Sequence, residues 1–125
     1  NPPKNLIFPG IVSPERMREL YALADLFLLS SYNELFPMTI LEAASCEAPI
    51  MLRDLDLYKV ILEGDYRATS DVSEMREAIL EYKENPEALK ELKEKAKRIS
   101  KQYSEERLLG IWLKFYREQA ALGKK

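Results

Sequence analysis

Apolar positions along the chain fall into short unbroken blocks and into longer stretches that step by three and four. Leu6-Ile7-Phe8, closed by Pro9-Gly10, reads as a buried strand ending in a turn. A helix is expected next: Ser13 can cap it, Pro14 suits its first position, and Met17, Leu20, Tyr21 and Ala24 fall on one face. Leu26-Phe27-Leu28-Leu29 does not alternate, so it is expected in the middle of a parallel sheet with helices on both sides. A polar loop from Ser30 to Phe36 leads to Pro37 and a second helix carrying Ile40, Leu41, Ala43 and Ala44. Ile50-Met51-Leu52 makes another short buried strand. A short helix over 54–61 and a weak strand over 66–69, suited to a sheet edge, follow.

The rest of the sequence is helical in pattern. Asp71 with Glu74 forms a capping-box signature before Val72, Met75, Ile79 and Tyr82. Asn85-Pro86 opens a helix whose Leu89, Leu92, Ala96, Ile99 and Tyr103 share a face. Ser104 opens the last helix, where Leu108, Leu109, Ile111, Trp112, Leu113, Phe115 and Tyr116 cover more than one side, so it needs two partners or one large groove. Strand, helix, strand, helix, strand is the order of an open α/β sheet with right-handed crossovers, and such sheets bind ligands beyond the carboxyl ends of their strands.

Composition narrows the chemistry. With 125 residues, 46% hydrophobic and 32% charged, the chain suffices for one domain with one core. Zero histidines and the single Cys46 remove Ser-His-Asp triads and His/Cys zinc sites from this chain. No apolar run reaches bilayer-spanning length, and Asn1-Pro2-Pro3-Lys4 does not begin a secretion signal, so a cytosolic setting is expected. The net charge of −2 is uneven: residues 1–82 stand at −7 and residues 83–125 at +5. Lysines 90, 93, 97 and 101 interleave with Glu87, Glu91 and Glu94, which reads first as a solvated helix face. The basic half, with Lys114, Lys124 and Lys125, also suits an anionic bilayer, and nucleic acid is not expected as a partner. The dispersed methionines and Trp112 read as packing residues and Cys46 as a small buried one.

The candidate chemistry sits in the loop after Leu29. On a helix opening near Pro37, Met38 and Glu42 form an i, i+4 pair, so the carboxylate stands one turn from the helix mouth. The amides of Met38 and Thr39 there suit an anionic group such as a diphosphate, and Glu42 can accept hydrogen bonds from a diol. Taken alone, Glu34 and Glu42 also fit two solvated residues.

Ser31-Tyr32-Asn33-Glu34-Leu35-Phe36-Pro37-Met38-Thr39-Ile40-Leu41-Glu42-Ala43 resembles the Glu-x7-Glu signature of the family-4 retaining glycosyltransferases, which have two facing Rossmann-like domains, the GT-B fold. Gly10-Ile11-Val12 with Leu20-Tyr21, Ala24-Asp25-Leu26-Phe27-Leu28, Ala48-Pro49-Ile50 and Tyr103-Ser104 match further family segments in order. Residues 33–40 with Arg53-Asp54-Leu55-Asp56-Leu57-Tyr58 resemble, more narrowly, the bacterial diacylglycerol α-glucosyltransferases. The resemblance implies a partial Rossmann-like parallel sheet with flanking helices. Residues 1–103 would be a truncated donor domain, and 104–125 a helix reaching toward an acceptor domain outside this chain.

It also implies roles. Glu34 would be the catalytic-site residue at the donor hexose, Glu42 would hold the ribose, and Phe36, Pro37, Met38 and Thr39 would surround the diphosphate and sugar. Ile11 and Val12 would lie near the base. The implied reaction is retaining transfer of a hexose, glucose from UDP-glucose, to a lipid, diacylglycerol, in glycolipid and lipoteichoic-acid anchor synthesis. No cofactor or metal is implied, and the parent would lie at the inner face of the cell membrane, this chain alone being inactive. A non-catalytic nucleotide-sugar-binding module and a glycosyltransferase with a non-lipid acceptor share these motifs. Two departures stand out: Leu35 and Pro37 replace the family's usual glycines around the aromatic, and the Gly-Gly after the Ile50 strand is missing.

Overall fold

A computed structural model describes residues 2–123; Asn1, Lys124 and Lys125, two of them in the basic surface expected above, lie outside the described residues. Three parallel strands, β1 (Phe27–Leu29), β2 (Ile50–Arg53) and β3 (Arg67–Thr69), pair in that order. Among the described residues six helices accompany them: α1 (Pro14–Leu23), α2 (Met38–Ser45), α3 (Asp56–Leu62), α4 (Val72–Glu84), α5 (Glu87–Gln102) and α6 (Glu105–Leu122). The expected α/β class, a small parallel sheet flanked by helices, is the observed one.

Alternation along β2 sorts the core into two layers. Ile50 and Leu52 face Ile40 and Ala44 of α2, Tyr58 and Leu62 of α3, and Ala96 and Ile99 of α5. Met51 points the other way, against Met75, Ala78 and Tyr82 of α4 and Leu92 of α5. A third cluster joins α1 to α2 through Tyr21, Ala43 and Ala48. The alanines of α2 let α5 and α1 approach closely, because a methyl group leaves no bulk to hold the helix axes apart.

Helix starts follow the sequence signals. Ser13 Oγ accepts from the Arg16 amide at 3.3 Å, Asp71 Oδ1 from the Glu74 amide at 2.8 Å, and Ser104 Oγ from the Arg107 amide at 3.4 Å. Glu74 answers the Asp71 cap by accepting from the Ser70 amide at 2.6 Å, one residue upstream of the usual capping box. The solvated reading of the α5 lysines holds: Lys90–Glu87 and Lys97–Glu94 pair at 2.7 Å on the exposed side of the helix.

Four expectations are corrected. Leu6-Ile7-Phe8 is not a strand: its side chains are exposed and it takes part in no ladder of the sheet, because a strand exists only where a neighbour supplies the other half of its hydrogen bonds. Leu26 to Leu29 is not mid-sheet; β1 is an edge strand with Leu28 43% exposed, and the fully covered central strand is β2. An unbroken apolar run marks what a strand is able to bury, and the order of pairing decides whether it does so. Cys46, at the end of α2, is half-buried rather than buried, with the Ser45 hydroxyl 3.9 Å away. Trp112 is exposed, and its aromatic contacts among the described residues are with Phe115 and Tyr116 of its own helix.

No helix among the described residues is long and apolar enough to cross a membrane. The helix α6 has no buried residue, and Leu109, Ile111, Trp112, Leu113, Phe115 and Tyr116 are all exposed.

Candidate functional site

The helix α2 begins just beyond the carboxyl end of β1, behind the loop over residues 30–37. Pro37 holds the cap position with extended backbone and offers no side-chain hydrogen bond to the helix. The Ile40 amide turns back to the Pro37 carbonyl at 3.1 Å. Met38 and Thr39 therefore form an exposed first turn without a side-chain cap, the end at which a helix dipole is positive. Pro37 itself is buried, which fixes the angle at which the loop enters the helix.

Glu42 stands one turn further on and lines a cleft of about 360 Å³ between α1 and α2, together with Val12, Met17, Arg18, Tyr21 and Ser45. The buried Tyr21 donates its phenolic O–H to Glu42 Oε2 at 3.3 Å, which leaves the second carboxylate oxygen unengaged by it. Burial, then the Glu42 charge and this hydrogen bond, push the Tyr21 phenol above its ordinary value, so it remains a donor well beyond neutral pH. A carboxylate aimed by a buried phenol beside a cationic Arg18 is suited to accept from a pair of hydroxyls while a neighbouring anion is held.

Glu34 is placed differently. It is half-buried in the loop and lines a second, shallower hollow with Asn33, Leu35 and Phe36. Its charge is felt by Tyr58 of α3, whose phenol is raised first by burial and then by Glu34. Tyr58 is fully buried and its hydroxyl has no hydrogen-bond partner among the described residues. Phe36 makes an edge contact with Tyr103 at 5.7 Å, and Tyr103 donates to the Ile61 carbonyl, so the loop is braced against the end of α5.

Of the residues singled out from the sequence, Val12 and Glu42 share one cleft, while Glu34 and Phe36 share the other hollow. Met38 and Thr39 lie exposed on the first turn of α2, between Glu34 and Glu42 in the chain, and Ile11 is fully exposed. Sequence reasoning missed Arg18 and Tyr58. Arg18 lies three residues before Tyr21 on α1, so the helical period that assigned Tyr21 inward carried a signal for it. Tyr58 carried none, since an orphaned hydroxyl is visible only once the core is assembled. Among the described residues no group of three or more acidic or cysteine side chains could hold a metal ion.

Comparison with known proteins gives a family match over residues 1–99, to the glycosyl transferases of group 1. The alpha-galactosylglucosyldiacylglycerol synthase of Streptococcus pneumoniae is 83% identical over all 125 residues, which amount to 33% of its length. The processive diacylglycerol alpha-glucosyltransferase of Acholeplasma laidlawii is 34% identical over 58 residues, 46% of this chain and 18% of that protein. The chain thus spans about a third of the length of the first relative. No solved structure matches it significantly.

Proposed function

This chain belongs to the glycosyl transferases of group 1, and from that membership we propose that it is the donor-binding part of an enzyme that transfers a hexosyl group from a nucleotide sugar to a diacylglycerol-based lipid. The observation that carries the proposal is the 83% identity across the whole chain to a synthase of a diacylglycerol glycolipid. The three-stranded parallel sheet is consistent with a fragment of a GT-B glycosyltransferase, the fold that the Glu-x7-Glu resemblance implies.

In this reading Glu42, aimed by Tyr21, accepts from the ribose hydroxyls, with Val12 near the base and Ile11 at the open rim. The exposed first turn of α2, at Met38 and Thr39 behind Pro37 and Phe36, faces the diphosphate. Glu34 meets the hexose from the other side of that turn. Transfer proceeds with retention, by front-side attack within an ion pair, so the protein works by holding donor and acceptor in register and by stabilising the departing diphosphate. The exposed apolar face of α6 is covered by the part of the parent protein outside this chain, and the parent acts at the inner face of the cell membrane, where its lipid acceptor lies. Its product is a glycolipid of the kind that anchors lipoteichoic acid.

Two donor and acceptor pairs follow from the relatives. Resemblance to the diacylglycerol glucosyltransferases favours UDP-glucose with diacylglycerol. The name of the relative at 83% identity describes a galactosyl unit on glucosyldiacylglycerol, which favours UDP-galactose with a glucosylated lipid. Assaying the full-length parent with both nucleotide sugars against both lipids decides between them, and hexosyl transfer to neither lipid overturns the proposal. Glu42→Ala is expected to raise the donor Kd by about tenfold or more, the loss of one or two hydrogen bonds to a charged acceptor. An unchanged Kd in a nucleotide-sugar titration removes the ribose role.

A further inference from the structure

The carboxyl end of the central strand holds a charged side chain that the reading above leaves unused. Arg53, the last residue of β2, is only 8% exposed. Its hydrogen-bond partners are main-chain carbonyls: Nε donates to Ser30 O at 3.0 Å and Nη1 donates to Ser70 O at 3.0 Å. Ser30 follows β1 and Ser70 follows β3, so one guanidinium ties the ends of all three strands together. Its face is stacked against the ring of Tyr32, 3.9 Å from the centroid. Tyr32 stands two residues before Glu34 in the loop that leads to the mouth of α2.

This geometry uses what is particular to arginine. The two carbonyls lie on opposite flanks of β2, and a planar fork reaches both while leaving its face free for an aromatic ring. A lysine in the same place would carry the charge as a single point and could not bridge and stack at once. Burying a cation among carbonyls is costly unless it is well satisfied, so a guanidinium held this way resists displacement and makes the path of the loop definite.

We propose that Arg53 is a positioning residue of the donor site: by bridging the carbonyls of Ser30 and Ser70 and stacking against Tyr32, it fixes the loop over residues 30–36 and, through it, Glu34. The proposal rests on the reading of residues 34–42 as the donor site. Arg53 acts on the loop that meets the nucleotide sugar and is not itself in contact with the hexose.

The test uses the full-length parent with Arg53→Lys, Tyr32→Leu and Tyr32→Phe, read by backbone amide order parameters and by kinetics with the nucleotide sugar. Arg53→Lys and Tyr32→Leu are each expected to lower the order parameters over residues 30–36 into the flexible range, below about 0.6, while Ile40 to Ala44 in α2 stay near about 0.85. Both should change donor KM and kcat, whereas Tyr32→Phe, which keeps the ring, should behave as the unaltered protein. The Arg53→Lys, Tyr32→Leu double variant should lose little more than Arg53→Lys alone, since that change already removes the stacking contact. Order parameters unchanged at 30–36 in Arg53→Lys overturn the proposal. So does an equal fall through α2, which would make Arg53 a general stabiliser of the sheet. A parent that transfers no hexose sinks the donor-site reading instead, and the order parameters still decide what Arg53 does to the loop.

Discussion

Tyr58 shows how one side chain can be costly to the fold and close to the site at once. Its ring is fully buried against Tyr66, while its hydroxyl has no partner among the described residues. Leaving a buried donor unsatisfied costs about 1–3 kcal/mol, so Tyr58→Phe is expected to leave stability unchanged or to raise it by about 1 kcal/mol, measured by urea denaturation. A loss of more than about 1 kcal/mol would show that the hydroxyl is satisfied after all. Glu42 and Tyr21 present the opposite case, a hydroxyl whose partner is a carboxylate that lines the cleft between α1 and α2. The residues that the pattern of the sequence could rank were those whose position along an element decides their direction. Glu42, one turn after Met38, was legible for that reason. Arg53 was not, because its importance lies in carbonyls 23 and 17 residues away.

At the level of elements, local signals and tertiary pairing divide the work. Helix starts at Ser13, Asp71 and Ser104 were legible, since a cap is a contact between a side chain and an amide three residues on. Strand placement was only half legible. The runs at Phe27 and Ile50 both became strands, but which of them lies in the centre depends on the pairing order β1-β2-β3. The segment Leu6 to Phe8 has the same composition and forms no strand, for want of a neighbour to complete its hydrogen bonds. The helix α6 carries a strong apolar face yet contributes no buried residue to the core. Ending the chain after Ser104 is therefore expected to move the thermal midpoint by no more than about 4 °C, the shift that about 1 kcal/mol produces in a domain of this size. A larger drop in a circular-dichroism melt would mean that α6 supports the sheet.

The molecule as a whole is bound to its tyrosines. Tyr21, Tyr58, Tyr66, Tyr82 and Tyr103 are all raised above the usual phenol value, burial being the first cause in every case. Above about pH 10 the unfolded chain gives up phenolic protons that the folded chain keeps, so the unfolded state binds fewer protons and stability falls as pH rises. Their contribution is complete below pH 10 and is lost as pH climbs through the raised values. Thermal midpoints at pH 8, 9 and 11 should fall only over the upper interval, with phenolate absorbance rising together with unfolding. A midpoint as high at pH 11 as at pH 8 would contradict this. The sequence by itself determined the α/β class, the helix starts, and the stretch from Glu34 to Glu42 as the place to look for chemistry. It could do so because periodicity, capping and i, i+4 spacing are local, written within a few residues of one another. Only the tertiary structure decided that β1 is an edge, that Glu34 and Glu42 line different hollows, that Tyr58 is orphaned among the described residues, and that Arg53 ties three strand ends together. Those facts rest on groups brought near by the pairing of strands and the packing of helices, which depends on the free energy of the assembled core and not on any single segment of chain.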